Sequence, residues 1–301
     1  MSTIKKIRLK PFDRNTRIRR HLFLFFLYYF QNKMLSVPFE SCLHFNCENN
    51  SLPTENDHLD IVTIAFNNPL ALELQAKQLR KHFKGISYSY YVADNSTDVI
   101  ESKRIEQICK VQNIGYFKLP QNKKLVGSYS HGAALNWVYY RFLKPRKARY
   151  FGFLDHDIFP TKDLDFKEKI AFNHFYGRLR IDSPGFYYLW PGISFWEASL
   201  LENLNVNFMP CMSNKTYLDT GGSLWHIFFE KIPREKIKMP LFFHIPLKEI
   251  GYDDSNYVDF FDDCWFHAKY SARKECNTSS TEEIIRNSER IRKNLSEKWI
   301  W

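Results

Sequence analysis

Strand-like and helix-like segments alternate between residues 60 and 157, and this alternation limits the possible folds more than any other feature. Four apolar runs, "DIVTIAF", "SYSYYVADNS", "IGYFKLP" and "ARYFGFLDHD", are separated by three segments with apolar residues at helical spacing. A β-α-β-α-β-α-β order favours a parallel or mostly parallel sheet that is covered by helices on both faces. We therefore expect an α/β fold.

The rest of the chain has a different character. After Pro160 the periodicity weakens, and glycine, proline and aromatic residues divide the sequence into short pieces up to about residue 270. The segment "STEEIIRNSERIRKNLSEKW" predicts an amphipathic C-terminal helix. We expect an N-terminal extension and linker over residues 1–58, a catalytic-size domain over 59–275 and a C-terminal helix within 276–301.

Residues 1–33 contain most of the surplus positive charge of the chain, whose net charge is +10. Such a segment suits an anionic surface, although no nucleic-acid motif is recognised and we expect no nucleic acid as a partner. The apolar run Leu22–Phe30 is about half as long as a membrane span. It predicts either a helix that packs on the domain or one that lies at a membrane surface.

Cysteine spacing bears on the cellular compartment. No two of the six cysteines form a Cys-x-x-Cys pair, which favours reduced thiols over a zinc site or a disulfide framework. We expect a cytoplasmic protein, with peripheral contact at the inner face of a membrane through residues 1–33 as the open alternative.

Polar and acidic residues follow three of the predicted strands. Asn67 and Asn68 follow the first, Asp94 and Asn95 end the second, and "DHD" (155–157) ends the fourth. Ligands of such sheets bind beyond the carboxyl ends of the strands. An Asp-x-Asp pair there suits Mg²⁺ or Mn²⁺, which bridges to nucleotide phosphates, whereas the alternative is a solvated turn.

Residues 60–273 resemble a GT-A-fold glycosyltransferase that is similar to glycosyltransferase family 2. The resemblance rests on "DIVTIAFNNP", "YYVADNSTD", "GSYSHGAALNWV" and "FGFLDHDIFP". It implies a GT-A-like, Rossmann-like sheet with a less regular C-terminal acceptor-side region. It also implies Mn²⁺- or Mg²⁺-dependent, hexosyltransferase-like transfer from a UDP- or GDP-linked sugar to a hydroxyl of a glycan or lipid-linked acceptor, as in polysaccharide or glycolipid assembly. Inversion at the sugar is the expected stereochemistry.

The resemblance also implies roles for individual residues. Asp155, Asp157 and His267 would be metal ligands. The donor-binding residues would be Phe66, Asn67, Asn68, Asp94, Asn95, His131, Gly132, Asp155, His156, Lys269 and Arg273. His156 departs from the residues usual at its position, and its role stays open between a ribose contact and exposure to solvent. For Asp94 the alternative is an Asx turn.

The catalytic base is less clear, because the acidic pair usual in the family is here a lone Asp-Thr-Gly-Gly. Asp219 is the preferred base, with a helix N-cap as its alternative role. Asp262 and Asp263 are the alternative bases. His244 rivals His267 as a metal ligand, but its apolar surroundings favour a histidine satisfied in the core.

Four aromatic residues, Tyr187, Tyr188, Trp190 and Trp196, suit either sugar stacking or core packing, and core packing is favoured for most of them. Three other functions stay open. These are a retaining GT-A transferase, a sugar nucleotidyltransferase, and a non-catalytic basic protein that associates with membranes. The nucleotidyltransferase is disfavoured because "FNNPLALE" has neither glycine nor lysine after the first strand.

Overall fold

The structure is a computed structural model that describes residues 57–120, 125–250, 257–268, 283–284 and 287–298. Its strands are β1 (His58–Ala65), β2 (Phe83–Lys84), β3 (Ser87–Asp94), β4 (Gly115–Lys118), β5 (Tyr150–Asp155), β6 (Ile158–Pro160), β7 (Leu164–Asp165), β8 (Phe175–Ser183), β9 (Phe186–Glu197), β10 (Cys211–Ser213), β11 (Thr216–Leu218), β12 (Phe242–Pro246), β13 (Tyr257–Phe261) and β14 (Trp265–His267). Its helices are α1 (Pro69–His82), α2 (Val99–Val111), α3 (Ser128–Val138), α4 (Phe166–Ile170), α5 (Leu224–Ile227) and α6 (Ser288–Lys298). Helix α3 continues through a π-helical turn, Tyr139–Leu143, into Lys144–Arg146.

A six-stranded sheet with the order β4-β3-β1-β5-β9-β8 forms the centre of the fold. Its first four strands are parallel. Strand β9 runs antiparallel to β5, and the edge strand β8 runs antiparallel to β9. Helix α3 packs on one face and helices α1 and α2 pack on the other. The predicted α/β fold, with a mostly parallel sheet flanked by helices, is confirmed.

Local sequence explains where the first helices begin. The Asn68 side chain accepts a hydrogen bond from the Ala71 N–H at 3.0 Å, and Pro69 occupies the first helical position of α1. Asp98 caps α2 in the same way, accepting from the Ile100 N–H at 2.9 Å. Side chains of these types satisfy N–H groups that lack partners within the helix, and proline costs little at that position.

A second, antiparallel sheet with the order β12-β13-β14-β6 begins directly after the Asp-x-Asp segment. Strand β14 pairs with β6 so that His267 lies opposite Ile158, and the Ala268 N–H donates to the Asp157 carbonyl at 3.0 Å. This pairing brings a histidine from late in the chain beside the second aspartate.

Several predictions concern residues outside the described part. These are the basic extension over 1–33, the linker up to residue 56, and the phosphate-binding roles of Lys269 and Arg273. Helix α6 lies within the predicted C-terminal helix. Among the described residues, no helix combines the length and apolar character that a membrane crossing requires.

Candidate functional site

A cleft of about 1390 Å³ lies beyond the carboxyl ends of the parallel strands. Its walls come from the ends of β1 and β5, the start of α3, strand β8, and the segments around residues 219–220 and 239–242. The register aligns Ala65 with Asp94 and Ile64 with Asp155, so the strands end at one edge as predicted. This volume exceeds that of a typical small-molecule pocket.

Two histidines lie against the two aspartates of the "DHD" segment. The His131 Nε2 atom, from the first turn of α3, is 3.1 Å from Asp155 Oδ1. The His267 Nε2 atom is 3.6 Å from Asp157 Oδ1. All four side chains line the cleft, so the structure brings together the residues that the resemblance assigns to metal and donor.

Neighbouring charged groups shift the pKa values of Asp155 and His131. Burial raises the pKa of Asp155, but the imidazoles of His131, His267 and His156 outweigh it and hold that pKa below its usual value. Burial lowers the pKa of His131, but the negative charges of Asp155, Asp219 and Asp157 outweigh it and raise that pKa. Three carboxylates therefore act on one imidazole, which links the "DHD" segment to Asp219.

The side chains available as metal ligands suit a hard divalent cation only in part. Among the described residues, no three histidine, cysteine, aspartate or glutamate side chains converge closely enough to hold a metal ion. Two carboxylates that line one cleft, with an imidazole beside each, nevertheless match the oxygen-rich chemistry of Mg²⁺ and Mn²⁺. Such an ion would take its remaining ligands from water or from a substrate.

The "DHD" turn is held from behind by Gln75 on helix α1, a residue that the sequence did not single out. Its Nε2 donates to the carbonyl oxygens of Asp155 at 2.7 Å and Ile158 at 2.5 Å. Its Oε1 accepts from the hydroxyls of Thr63 at 2.7 Å and Tyr90 at 2.6 Å. The side chain is completely buried, so this amide fixes the backbone that presents both aspartates.

A buried carboxylate, Asp259, orients His267 from the other side. Its Oδ2 is 3.2 Å from His267 Nδ1, and its Oδ1 is 2.6 Å from His244 Nδ1. Because an ionised carboxylate only accepts hydrogen bonds, both Nδ1 atoms donate. His267 therefore directs Nε2 towards Asp157, the orientation expected of a metal-binding histidine.

The prediction that His244 is a buried histidine of the core is wrong. Its side chain is 41% exposed and stacks on Tyr257, with 4.1 Å between the ring centroids. The reason is topological, since β12 is an edge strand of the second sheet. A strand at an edge leaves side chains accessible even within an apolar run.

Asp219 lies in the cleft within a small network of charges. Arg180 Nη1 is 2.8 Å from Asp219 Oδ2, and the Arg180 Nε donates to Asp182 at 2.6 Å. Asp219 Oδ1 is buried and makes no hydrogen bond within the described part of the chain. The Asp219 side chain makes no N-cap bond to α5, the helix that follows.

The alternative bases lie elsewhere. Asp263 is paired with Lys162, at 2.5 Å, and Asp262 with Lys169, at 2.7 Å. Neither side chain lines the cleft. Of the three proposed bases, the structure places only Asp219 beside the "DHD" segment.

The predicted donor-binding residues divide into two groups. Phe66, Asn95, His131, Asp155 and His156 line the cleft. His156 is almost completely buried, and its Nε2 has no hydrogen-bond partner among the described residues. Its side chain is therefore turned away from bulk solvent, which leaves the ribose contact as the open prediction.

The second group, Asp94, Asn67, Asn68 and Gly132, does not line the cleft. The Asp94 carboxylate accepts from Lys118 Nζ and Tyr116 at 2.9 Å each, and from the Ser96 N–H at 2.8 Å. The last of these bonds is the Asx turn that was the alternative to a nucleotide contact. Burial raises the pKa of Asp94, but hydrogen bonds from Ser102 and Ser96 and the charge of Lys118 together lower it.

The remaining members of that group also make internal contacts. Asn67 Oδ1 accepts hydrogen bonds from the Thr97 and Asp98 N–H groups at 3.0 Å each, which joins the loop after β1 to the loop after β3. The Asn68 side chain caps α1. A Cβ atom on Gly132 would lie 2.9 Å from the Phe208 carbonyl oxygen. This glycine allows α3 to approach the backbone of the neighbouring segment.

Three of the four aromatic candidates are core residues. Tyr187, Tyr188 and Trp196 are buried in the main hydrophobic cluster. Trp190 lines the cleft, and its ring centroid is 5.5 Å from that of His267. The preference for core packing is confirmed, and Trp190 is the aromatic residue of this set that a sugar can reach.

No family model matches the chain, and no curated protein matches it. Solved structures similar to it include TarS of S. aureus in complex with UDP, at 16% identity and a TM-score of 0.35, with 50% of each chain covered. They also include the galactosyltransferase LgtC in complex with donor and acceptor sugar analogues, at 16% identity and a TM-score of 0.33, covering 46% of this chain and 57% of LgtC. The matched part therefore spans less than two thirds of either protein, and no residue role passes from them to this chain.

Proposed function

We propose that the chain is a glycosyltransferase that moves a sugar from a nucleoside diphosphate sugar to a hydroxyl group, with Mn²⁺ or Mg²⁺ as cofactor. The proposal rests chiefly on Asp155 and Asp157, which line a large cleft at the carboxyl edge of the parallel strands. That edge is where α/β sheets bind nucleotides. The GT-A-like order of elements and the resemblance to family 2 support the same reading.

In this proposal the residues divide the work. Asp155 and Asp157 would hold the metal ion together with water or substrate oxygens, and His267, the third ligand that the resemblance implies, lies 3.6 Å from Asp157. The ion would supply Lewis-acid stabilisation of the leaving diphosphate. Gln75 and Asp259 keep these ligands in place. Asp219 accepts the proton of the attacking hydroxyl, and Arg180 holds its carboxylate from the side at 2.8 Å. Inversion is the stereochemistry that a single displacement with one base would give.

Calorimetric titration of UDP and GDP, with and without Mn²⁺, tests this function. The wild type should bind one of them in a metal-dependent way, and Asp155→Ala/Asp157→Ala should abolish that binding. Asp163→Ala is the matched control, because this aspartate has a side chain that is 69% exposed and lies outside the cleft. If neither nucleotide binds the wild type in either condition, the glycosyltransferase proposal fails.

A further inference from the structure

Arg178 on strand β8 is set apart from the other charged residues of the cleft by its position in a β-bulge. The pairing of β8 with β9 passes from Gly177–Ser194 directly to Leu179–Leu189, so Arg178 faces the four residues from Trp190 to Ile193. Gly177 has a φ of +150°, and a Cβ atom there would lie 2.2 Å from the Ile193 carbonyl oxygen. The extra residues belong to β9, and Arg178 lines the cleft opposite them.

The guanidinium group of Arg178 is held by aromatic rings. Its Cζ atom lies 3.8 Å from the ring centroid of Phe242 and 5.2 Å from that of Trp190. The side chain is 20% exposed. Contacts of this kind hold the flat group in place and leave its edge for hydrogen bonds.

Arg178 makes one long contact with a carboxylate. Its Nη1 is 3.4 Å from Asp259 Oδ2, the oxygen that already accepts from His267 at 3.2 Å. Within the described residues, Nε and Nη2 of Arg178 make no hydrogen bond. Arg180, two residues along the same strand, differs because it is paired with both Asp182 and Asp219.

The guanidinium group of Arg178 is therefore partly buried without enough negatively charged partners. A buried cation is costly unless it is paired and hydrogen-bonded. Burial lowers the pKa of Arg178 despite the nearby charge of Asp259. A ligand that brings an oxyanion to the exposed edge of this guanidinium would supply the missing partner, and such pairs are frequently bidentate.

We propose that Arg178 binds an oxyanion, a phosphate or carboxylate group, carried by the substrate in this cleft. The inference rests on the proposed function in one respect, that the cleft holds sugar substrates. Strand β8 is the outer strand of the sheet, separated from β1 by β5 and β9, and the nucleotide loops follow β1 and β3 on the other side. This order favours the acceptor as the carrier, while the donor diphosphate is the other source of the same chemistry.

Calorimetry with four probes tests the assignment: inorganic phosphate, glucose 6-phosphate, and UDP and GDP with Mn²⁺. We expect Arg178→Gln to weaken binding of at least one phosphate-bearing probe by about 10- to 100-fold, and Arg178→Lys to weaken it less. Arg104→Gln is the control, because Arg104 lies on α2 with a side chain that is 64% exposed and is paired with Glu101. Thermal unfolding of each variant confirms that it is folded.

The pattern of losses identifies the carrier. Weaker binding of inorganic phosphate and glucose 6-phosphate alone assigns the oxyanion to the acceptor, and weaker binding of UDP or GDP alone assigns it to the donor. If all probes bind Arg178→Gln as they bind the wild type, or if no probe binds the wild type, the assignment is overturned. In the first of these two cases, metal-dependent nucleotide binding that requires Asp155 and Asp157 would leave the proposed function standing.

Discussion

Replacing Gln75 with leucine should disturb the "DHD" turn without replacing any residue that lines the cleft. The substitution keeps a similar volume but removes the amide that bonds to the carbonyl oxygens of Asp155 and Ile158. Thr63 and Tyr90 lose their shared acceptor, yet their hydroxyls lie 3.2 Å apart and can still bond to each other. Each of the two carbonyl oxygens loses the hydrogen bond that Gln75 donates to it.

The expected cost follows from those two groups. A buried polar group without a partner costs about 1–3 kcal/mol. The Ile158 carbonyl is buried, while that of Asp155 borders the cleft, where water can replace part of the bond. We therefore expect Gln75→Leu to lower the free energy of unfolding by about 2–4 kcal/mol. Displacement of the Asp155 backbone should also weaken metal-dependent nucleotide binding by about tenfold or more.

Gln78→Leu provides the matched control on the same helix. Gln78 donates to the Glu289 carboxylate at 2.7 Å, away from the "DHD" turn. Its replacement should cost about 1 kcal/mol and leave nucleotide binding unchanged. Urea unfolding and calorimetry measure both quantities. Equal losses of nucleotide affinity in the two variants would refute the role of Gln75 in positioning the turn.

Three further outcomes are expected. Asp94→Asn should cost about 3 kcal/mol of stability at pH 7. Because the pKa of Asp94 is lowered on folding, the contribution of its carboxylate to the free energy of unfolding is complete above about pH 4 and is lost as pH falls through the lowered pKa. The free energy of unfolding of the variant, measured with urea, should therefore fall less steeply as the pH is lowered; an unchanged slope contradicts this. Asp219→Asn should slow donor turnover by about 100-fold or more while nucleotide binding persists, whereas Asp263→Asn should turn over normally, and the reverse ranking would exclude Asp219 as the base. Gly132→Ala should cost about 1–3 kcal/mol in thermal unfolding, since its Cβ would lie 2.9 Å from the Phe208 carbonyl oxygen; an unchanged melting temperature contradicts that packing.

The parallel half of the fold could be predicted because its signals are local. Each strand is a compact apolar run, the helices have apolar residues at helical spacing, and side chains cap the first two helices, as Asn68 and Asp98 show. The antiparallel pairing of β8 with β9 left no comparable pattern, because the bulge between them interrupts the alternation. Short strands such as β14, with three residues, carry too few side chains to show a period.

Three residues that line the cleft could be singled out from the sequence, whereas two residues that support them could not. Asp155, Asp157 and His267 fall in recognisable segments. Gln75 and Asp259 do not, since Gln75 bonds to carbonyl groups about 80 residues away and Asp259 acts through the pairing of β13 with its neighbouring strands. A weak signal existed for both: each is a polar residue in an otherwise apolar setting, Gln75 on the buried face of α1 and Asp259 within "YVDFF".

The pairing of β6 with β14 also has a consequence for biosynthesis. The Thr161 hydroxyl donates to the carbonyl of Cys264, a contact that joins residues 103 positions apart. Closing a loop of that length has an entropic cost, which is offset only when the strands of the second sheet pair. A nascent chain that has been translated as far as residue 250 already contains all four parallel strands, yet it lacks the histidine that faces Asp157. The cleft would thus be complete only after residue 267 has been translated, long after the parallel strands that underlie it.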